Sequence, residues 1–534
     1  MKKFSFVIPV FRTAQFLKRC LLSIMDQDYP EWEIIVVLDG PDEEAGKIVE
    51  EFVNRQYREG GKASHKSPRI RCYERPHKGA PAARNFGAEM TTGDYLVLFD
   101  SDCSLYPGIL RLWAEAFDDH PDCDFVYGGY RFYSPNLETY PSMEFDPYML
   151  EVNNYISTMF PMKREIYPGQ TESLKSLQDW DMWLKIVKDN GRKGYYLGEV
   201  CFITEVPEMG RITMDSHKSW LERTKEVKKL HNISDKPICV SSLGLPYQAI
   251  QRAKILDADF KNELLMTKPH DYKLLYMFGF YPMAAPTHAE ILKTAFKSKG
   301  CKRAIQWVGT DVFQLRGLPW EVHRELMEEL KKIDYHFCNS EWLQEELEQM
   351  GIKAEVNYCP IYQPERFQVK PLPEKFTVGV YHSETNRMHN EQFLLDVARA
   401  MPDVEFKFFG PRKKEPRVKN IEILGWQKDI TKVIEQCSVN LRVTVHDGFP
   451  HTPIHFMLMG RKVITNVKMP YADYINLIPS SRNYINAKAD IIQFIRKVKN
   501  EKPWTPKFQE EVRGYYLNLC DGEKFKRRVY RCLK

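Results

Sequence analysis

The segment Gly93-Asp94-Tyr95-Leu96-Val97-Leu98-Phe99-Asp100-Ser101-Asp102 reads as a buried strand, Tyr95–Phe99, that ends in a tight turn carrying two carboxylates. A short apolar run without alternation marks a parallel strand covered on both faces. Upstream the same pattern repeats. Lys3–Val10 is another mostly apolar run, and after it Thr13 can cap a helix in which Leu17, Leu21, Ile24 and Met25 share one face. Glu33–Leu38 is a further strand ending at Asp39-Gly40. A helix over Glu43–Arg55, a strand at Arg69–Tyr73 and a helix near Ala80–Met90 lead on to Tyr95. This alternation implies an α/β fold with an open, Rossmann-like parallel sheet and helices on both faces. Ligands of such sheets bind beyond the carboxyl ends of the strands. That rule selects Phe11-Arg12, Asp39-Gly40 and Asp100-Ser101-Asp102 as one candidate site.

Beyond Asp118 the pattern is less regular as far as about Asn232, apart from a strong amphipathic helix over Leu177–Lys188. Ser234–Pro269 reads as a connecting segment, helical over Tyr247–Asp257. A second alternation follows, with strands at Lys273–Phe278, Ala304–Trp307, His336–Cys338 and Glu355–Tyr358 and helices at His288–Lys297, Trp320–Ile333 and Glu341–Met350. After a break rich in proline (Pro360, Pro364, Pro371, Pro373), a third unit has strands at Phe376–Tyr381, Val404–Phe409, Ile421–Leu424, Val439–Val443 and Lys462–Asn466. The expected organisation is one domain over 1–232, a helical linker over 233–270, and two Rossmann-like halves over 271–370 and 371–534, the last ending in helices.

The chain has 534 residues, 43% hydrophobic and 28% charged, which fits a globular protein of several folding units. A formal net charge of +5 is too weak on this length to point to nucleic acid. Two basic stretches, Arg412–Lys419 and Lys524–Lys534, read as solvated faces, with a membrane-surface or polyanion contact as the alternative. The longest nearly apolar stretch, Leu274–Pro286, contains a Gly and two Pro and falls short of the about 20 residues a membrane span needs. The 12 cysteines include no Cys-x-x-Cys spacing, which argues against a zinc ribbon and a disulfide scaffold. Met1-Lys2-Lys3 and the apolar run to Phe11 imitate a signal peptide, but the run stops at Arg12 and reads as a strand. The expected location is cytoplasmic, with peripheral contact at the inner membrane face left open.

Asp100-x-Asp102 is a pair of carboxylates that can join Mg²⁺ or Mn²⁺ to substrate phosphates. Asp179 and Asp181, at the start of a helix, are either general-base candidates or carboxylates favoured by the helix dipole. The stretches Val7-Ile8-Pro9-Val10-Phe11, Val36-Val37-Leu38-Asp39-Gly40, Gly79-Ala80-Pro81-Ala82-Ala83-Arg84-Asn85-Phe86-Gly87, Gly93–Asp102 and Gln178-Asp179-Trp180-Asp181-Met182-Trp183-Leu184 occur in this order. Together they resemble the family-2 glycosyltransferases of GT-A fold, over roughly Lys2 to His217. The resemblance implies a nucleobase pocket lined by Pro9 and Phe11, with Asp39 accepting a hydrogen bond from the base. It turns Arg84 toward the nucleotide and places Asp100, Ser101 and Asp102 in the Asp-x-Asp motif, with Asp102 the more direct metal ligand. It makes Asp179 the general base. Gln178 replaces the usual Glu there, and Cys103 stands where a further Asp is common.

In the second half, His446-Asp447-Gly448-Phe449-Pro450, His455 and Gly460-Arg461-Lys462-Val463-Ile464 resemble the donor-side motif of family-4 GT-B glycosyltransferases. The likeness runs from about Tyr272 to Phe494. That family places one Glu before Gly-Phe-Pro and another further along the helix; Asp447 and His455 stand at those positions. Arg387, in the loop His382–Asn390, is the candidate for a donor diphosphate. A GT-B pair would put Arg387 and Asp447 on the wall of a cleft between residues near 270–370 and residues near 375–500.

The resemblances imply a metal-dependent, inverting glycosyltransferase. Its donor would be a nucleotide-diphosphate sugar, a UDP-sugar first, and its acceptor the hydroxyl of a glycan or lipid-linked glycan in cell-surface polysaccharide synthesis. A second transferase site would lie in the C-terminal half. The alternatives are an acceptor that is a protein or a modified nucleic-acid base, and a single active GT-A domain carrying a non-catalytic, glycan-binding GT-B-like module.

Overall fold

Phe4, Phe6, Val7 and Ile8 have no exposed surface, and they form the centre of the first sheet in the chain's described residues. The computed structural model describes residues 1–59, 69–133, 139–140, 143–205, 217–243, 245–261, 272–280, 300–382, 387–410, 418–427, 429–476 and 484–534. The expected helix at His288–Lys297 and most of the basic stretch Arg412–Lys419 lie outside them. The chain divides into two units, Met1–Asp235 and Lys236–Lys534.

In chain order the first unit comprises β1 (Phe4–Val10), α1 (Ala14–Met25), β2 (Trp32–Asp39), α2 (Glu43–Glu59), β3 (Ile70–Arg75), α3 (Ala80–Glu89), β4 (Tyr95–Leu98), β5 (Cys103–Leu105) and α4 (Ile109–Asp119). It continues with β6 (Phe125–Tyr133), β7 (Thr139–Tyr140), α5 (Pro147–Val152), β8 (Met162–Lys163), α6 (Gln178–Leu184), β9 (Gly194–Glu205) and α7 (His217–Leu230). The sheet order is β3-β2-β1-β4-β8-β6-β9-β5, with β7 beside β6. The first four strands in that order are parallel, as the apolar runs require. The far side is mixed, because β8 runs antiparallel to both β4 and β6 and β5 runs antiparallel to β9. Strand order reverses between β1 and β4, which opens a crevice at their carboxyl ends.

Aromatic packing holds this sheet to its helices. Phe4 meets Tyr95 at 5.0 Å and Tyr29 at 5.4 Å between ring centroids, and Trp113 of α4 lies 6.1 Å away. Each such side chain contributes about 1.5–3 kcal/mol by leaving water. On the other face, α3 lies unusually close to the strands. A Cβ on Gly87 would stand 2.3 Å from Val7 Cγ1 and 3.1 Å from Val37 Cγ2, so only glycine fits there without displacement. A buried carboxylate, Glu33 of β2, ties the sheet together at the opposite end from the crevice. It accepts from Ser5 Oγ (2.7 Å) and the Thr92 amide (2.6 Å) and pairs with Lys3 and Arg71. Burial opposes its charge, yet these donors pull its carboxyl down to about 2.

Among the described residues the second unit has two parallel six-stranded sheets. The first contains β10 (Ile238–Leu243), β11 (Asp259–Lys261), β12 (Leu274–Phe280), β13 (Lys302–Trp307), β14 (Tyr335–Cys338) and β15 (Glu355–Val356), in the order β11-β10-β12-β13-β14-β15. The second contains β16 (Thr377–Tyr381), β17 (Glu405–Phe409), β18 (Ile421–Gly425), β19 (Val439–Arg442), β20 (Lys462–Thr465) and β21 (Asp473–Tyr474), in the order β18-β17-β16-β19-β20-β21. The expected helical linker over 233–270 is largely part of the first of these sheets: β10, the helix Pro246–Leu256 and β11 form a strand–helix–strand unit beside β12. Ser241 and Ser242 interrupt the apolar run of β10, and β11 is too short to show a period. The strand signal was therefore weak.

Candidate active site

The crevice beside β1 collects the polar strand ends. Pro9 lies at the partly exposed end of β1, beyond the last residue paired with β4, so its missing N–H breaks no bond to that strand. Asp39, at the end of β2, has a buried side chain that accepts from the amides of Lys78 and Gly79, both at 2.9 Å. It also pairs with His77 Nδ1 at 2.8 Å. These bonds fix the loop leading into α3, and Gly79, with φ of 94°, makes the turn. Phe11 is 42% exposed and stacks on His77, with ring centroids 4.1 Å apart. A flat aromatic surface thus stands next to a carboxylate. His77 was not anticipated from the sequence, although it stands two residues before the Gly79–Gly87 stretch.

Arg84 is 9% exposed and crosses the crevice floor. Its Nη2 bonds Asp100 Oδ1 at 2.5 Å and its Nη1 donates to Gln170 Oε1 at 3.2 Å. Asn85 holds the Gln170 segment in place by accepting from the Tyr167 hydroxyl (2.7 Å) and the Gln170 amide (2.8 Å). Ser101 is bound to Thr13, with Oγ1 and Oγ 2.7 Å apart, which ties the turn after β4 to the start of α1. Asp102 follows, with the Cys103 thiol donating to its Oδ1 at 3.5 Å. Among the described residues no set of three His, Cys, Asp or Glu converges as a self-contained metal site. A pair of carboxylates nevertheless fits Mg²⁺ or Mn²⁺, which typically completes its shell with phosphate oxygens and water.

Asp179 sits on the first turn of α6, close enough to Arg84 and Asp100 to feel both charges. Burial pushes its carboxyl above the usual range, opposed by the Trp180 amide and by Arg84. Asn154 Nδ2 donates to its Oδ2 at 2.6 Å. Two indoles lock α6 against the segment that carries Asn154: Trp180 Nε1 donates to Leu150 O at 2.6 Å and Trp183 Nε1 to Ser157 O at 3.3 Å. Asn154 and Gln170 lie in irregular segments, where no periodicity could have pointed to them. Asp181, two residues on, is turned by about 200° of helix and faces away from the crevice. It is 1% exposed and is bound by Thr171 Oγ1 (2.7 Å), Lys185 Nζ (2.9 Å) and His231 Nε2 (3.0 Å). Burial opposes its charge, but these donors outweigh that and hold its carboxyl below the ordinary range. The expected helix over Leu177–Lys188 is α only to Leu184 and becomes a π turn over Lys185–Asp189. Asn190 Nδ2 takes the Lys185 carbonyl at 2.7 Å, so a side chain replaces a ladder bond.

Pro9, Phe11, Asp39, Arg84, Asp100, Ser101, Asp102 and Asp179 are therefore gathered in the first unit. The second unit treats its candidates differently. Asp447 Oδ2 is held by Arg442 through Nε (3.0 Å) and Nη2 (2.6 Å), while its Oδ1 accepts from the Gly448 amide at 3.0 Å. Its carbonyl accepts from Trp342 Nε1 at 3.1 Å, and the Phe449 amide donates to Asn339 Oδ1 at 3.3 Å, so this turn packs on the neighbouring sheet's loops. His455 stacks on Phe367 at 4.1 Å, and burial drives its pKa down to about 3, so the ring is neutral. Arg387 opens a short 3-10 turn, Arg387–His389, and its side chain lies outside the described residues.

An open α/β sheet whose carboxyl-end crevice gathers an Asp-x-Asp turn, a buried arginine and a helix-borne carboxylate is the class the geometry defines. Residues 5–174 match the family described as Glycosyl transferase family 2, so the first unit carries a glycosyltransferase family 2 domain. Relatives include the glycosyltransferase GlyA of Streptococcus pneumoniae, 35% identical over 19% of this chain and 13% of that protein. GlyG of the same organism is 28% identical over 24% of this chain and 39% of that protein. The chondroitin synthase of Pasteurella multocida is 23% identical over 37% of this chain and 20% of that protein. The match spans less than half the length of each. Similar solved structures include Anabaena HepE in complex with UDP and glucose, with TM-score 0.45 and 12% identity, covering 56% of this chain and 99% of that one. Another is S. aureus TarS 1–349 in complex with UDP-GlcNAc, with TM-score 0.36 and 17% identity, covering 61% of this chain and 79% of that one.

Proposed function

We propose that the chain is an inverting glycosyltransferase that moves a sugar from a nucleotide-diphosphate sugar to an acceptor hydroxyl, with its catalytic site in the first unit. The observation that carries this reading is Arg84, bonded to Asp100 and within the electrostatic reach of Asp179 at the carboxyl end of the sheet. Phe11 and His77 offer the base a stacking surface, and Asp39, whose oxygens already take two amides, keeps acceptor capacity for a base N–H. Arg84 complements phosphate charge as the bond to the sugar breaks. Asp179 takes the proton of the acceptor hydroxyl, aimed by Asn154. Asp102 and Asp100 would hold Mn²⁺ or Mg²⁺, which supplies positive charge to the leaving diphosphate.

The acceptor is proposed as a glycan or lipid-linked glycan, in keeping with relatives named chondroitin synthase and hyaluronan synthase. No described helix is long and apolar enough to cross a membrane.

A screen of UDP-, GDP-, dTDP- and CDP-sugars, followed by nucleoside diphosphate release with Mn²⁺ and with EDTA, tests the reading. Release with one donor class, lost in EDTA and in Asp179→Asn, supports it. Release unaffected by EDTA removes the metal assignment, and release unaffected by Asp179→Asn removes the base.

A second reading concerns Lys236–Lys534. The engagement of the Asp447 carboxylate by Arg442 favours a glycan-binding GT-B-like module over a second transferase site. Metal-independent donor consumption that survives Asp179→Asn and disappears in Asp447→Asn would overturn that preference.

A further inference from the structure

His231 is 4% exposed, lies just beyond the end of α7, and takes no part in the chemistry described above. Its Nε2 is 3.0 Å from Asp181 Oδ1 and its Nδ1 is 2.8 Å from Asp189 Oδ2. A carboxylate only accepts, so satisfying both contacts requires a proton on each ring nitrogen, that is, an imidazolium. The two aspartates bracket the α-to-π junction of the segment that carries Asp179. Asp181 is further bound by Lys185 and Thr171, and Lys185 also donates to Thr171 Oγ1 at 2.7 Å. On its own side, Lys228 lies one turn earlier and reaches Asp235 at 3.9 Å.

We propose that His231 is a positioning residue for sugar transfer: its imidazolium clamps Asp181 and Asp189 and thereby holds the helix whose opposite face presents Asp179 to the crevice. The inference rests on the reading of Asp179 as general base. A neutral imidazole has one N–H and one lone pair, so it can donate to only one of the two carboxylates and repels the other. Burial disfavours the cation, but the hydrogen bonds from His231 to Asp181 and Asp189 prevail and raise its pKa above the ordinary value. The clamp is therefore closed below that raised value and opens as pH rises through it.

The test is the pH dependence of kcat for the full chain. The wild type should show an alkaline fall in kcat with donor KM little changed. In His231→Gln, which donates but does not titrate, kcat should drop roughly tenfold and the alkaline fall should flatten, because a small misplacement of a catalytic group costs rate rather than donor binding. Asp189→Asn guards against a variant that fails to fold, because the Asp189 side chain is 42% exposed. Removing that carboxylate should move the alkaline limb to lower pH. A wild type without an alkaline limb, a His231→Gln profile that keeps it, or an unmoved limb in Asp189→Asn overturns the clamp. Full activity in Asp179→Asn would instead sink the underlying reading of the base, whatever His231 does.

Discussion

Arg84 and Asp100 meet at 2.5 Å, Nη2 to Oδ1, although they come from different layers, one from a helix and one from a strand end. The guanidinium is almost fully buried, and its other amino group is fixed by Gln170. The group is thus held in one orientation before any ligand arrives, which lowers the ordering cost of binding.

Replacing Arg84 by lysine keeps the charge and loses the fork that serves Asp100 and Gln170 together. The expected result is a donor KM raised about tenfold and a lower kcat, measured by steady-state kinetics over a range of donor concentrations. A variant with wild-type parameters would show that Arg84 is structural only.

Asp179→Asn and Asp181→Asn should fail in different ways. The first should lower kcat by about 10²-fold or more and leave donor KM and melting temperature close to wild type. The second removes an acceptor of three hydrogen bonds from the interior and should lower stability by about 3 kcal/mol, seen as a drop in denaturant midpoint. Because burial raises the Asp179 carboxyl, the acidic limb of kcat should lie above the ordinary carboxylate range.

Glu33 should make the first unit sensitive to acid. Its carboxyl is depressed from an ordinary 4.5 to about 2, so its stabilisation is complete above about 4.5 and is lost as pH falls toward 2. The amount is about 3 kcal/mol from the size of the shift. Chemical denaturation between pH 6 and pH 2.5, repeated with Glu33→Gln, should show a steeper loss in the wild type than in the variant.

Asp447→Asn should act on stability first. Arg442 and Asp447 have side chains only 9% and 15% exposed, so breaking the pair leaves a poorly solvated guanidinium. A loss of about 3 kcal/mol is expected, with sugar transfer at the first unit unchanged. The paired readout is thermal melting and nucleotide release.

Legibility in the sequence followed the strength of the local pattern. β1, β2 and β4 are buried on both faces and were evident as apolar runs, and their polar ends pointed to Phe11, Asp39, Asp100 and Asp102. α3 was legible because glycine, proline and alanine punctuate its start. Elements defined by tertiary partners were not legible. The π turn at Lys185–Asp189 depends on Asn190 and on Asp189 meeting His231, and neither contact leaves a period in the sequence. β10 and β11 were hidden for a similar reason, since one carries paired serines and the other spans only Asp259–Lys261. Asn154, Gln170 and His77 enter the site through loops, where position is set by anchors such as Trp180 and Asn85 rather than by spacing.

Gly87 has an implication for how variants of this chain should be interpreted. It lies three residues after Arg84 on the same short helix, where an added Cβ would run into Val7 and Val37. A methyl group there would lever α3 off the sheet and carry the guanidinium with it. Such a lesion would register as a loss of function at the crevice although every polar group there remained in the sequence. A screen that scored only catalytic output would file Gly87 among ligand contacts, and only a parallel measurement of folding would reveal it as a spacer.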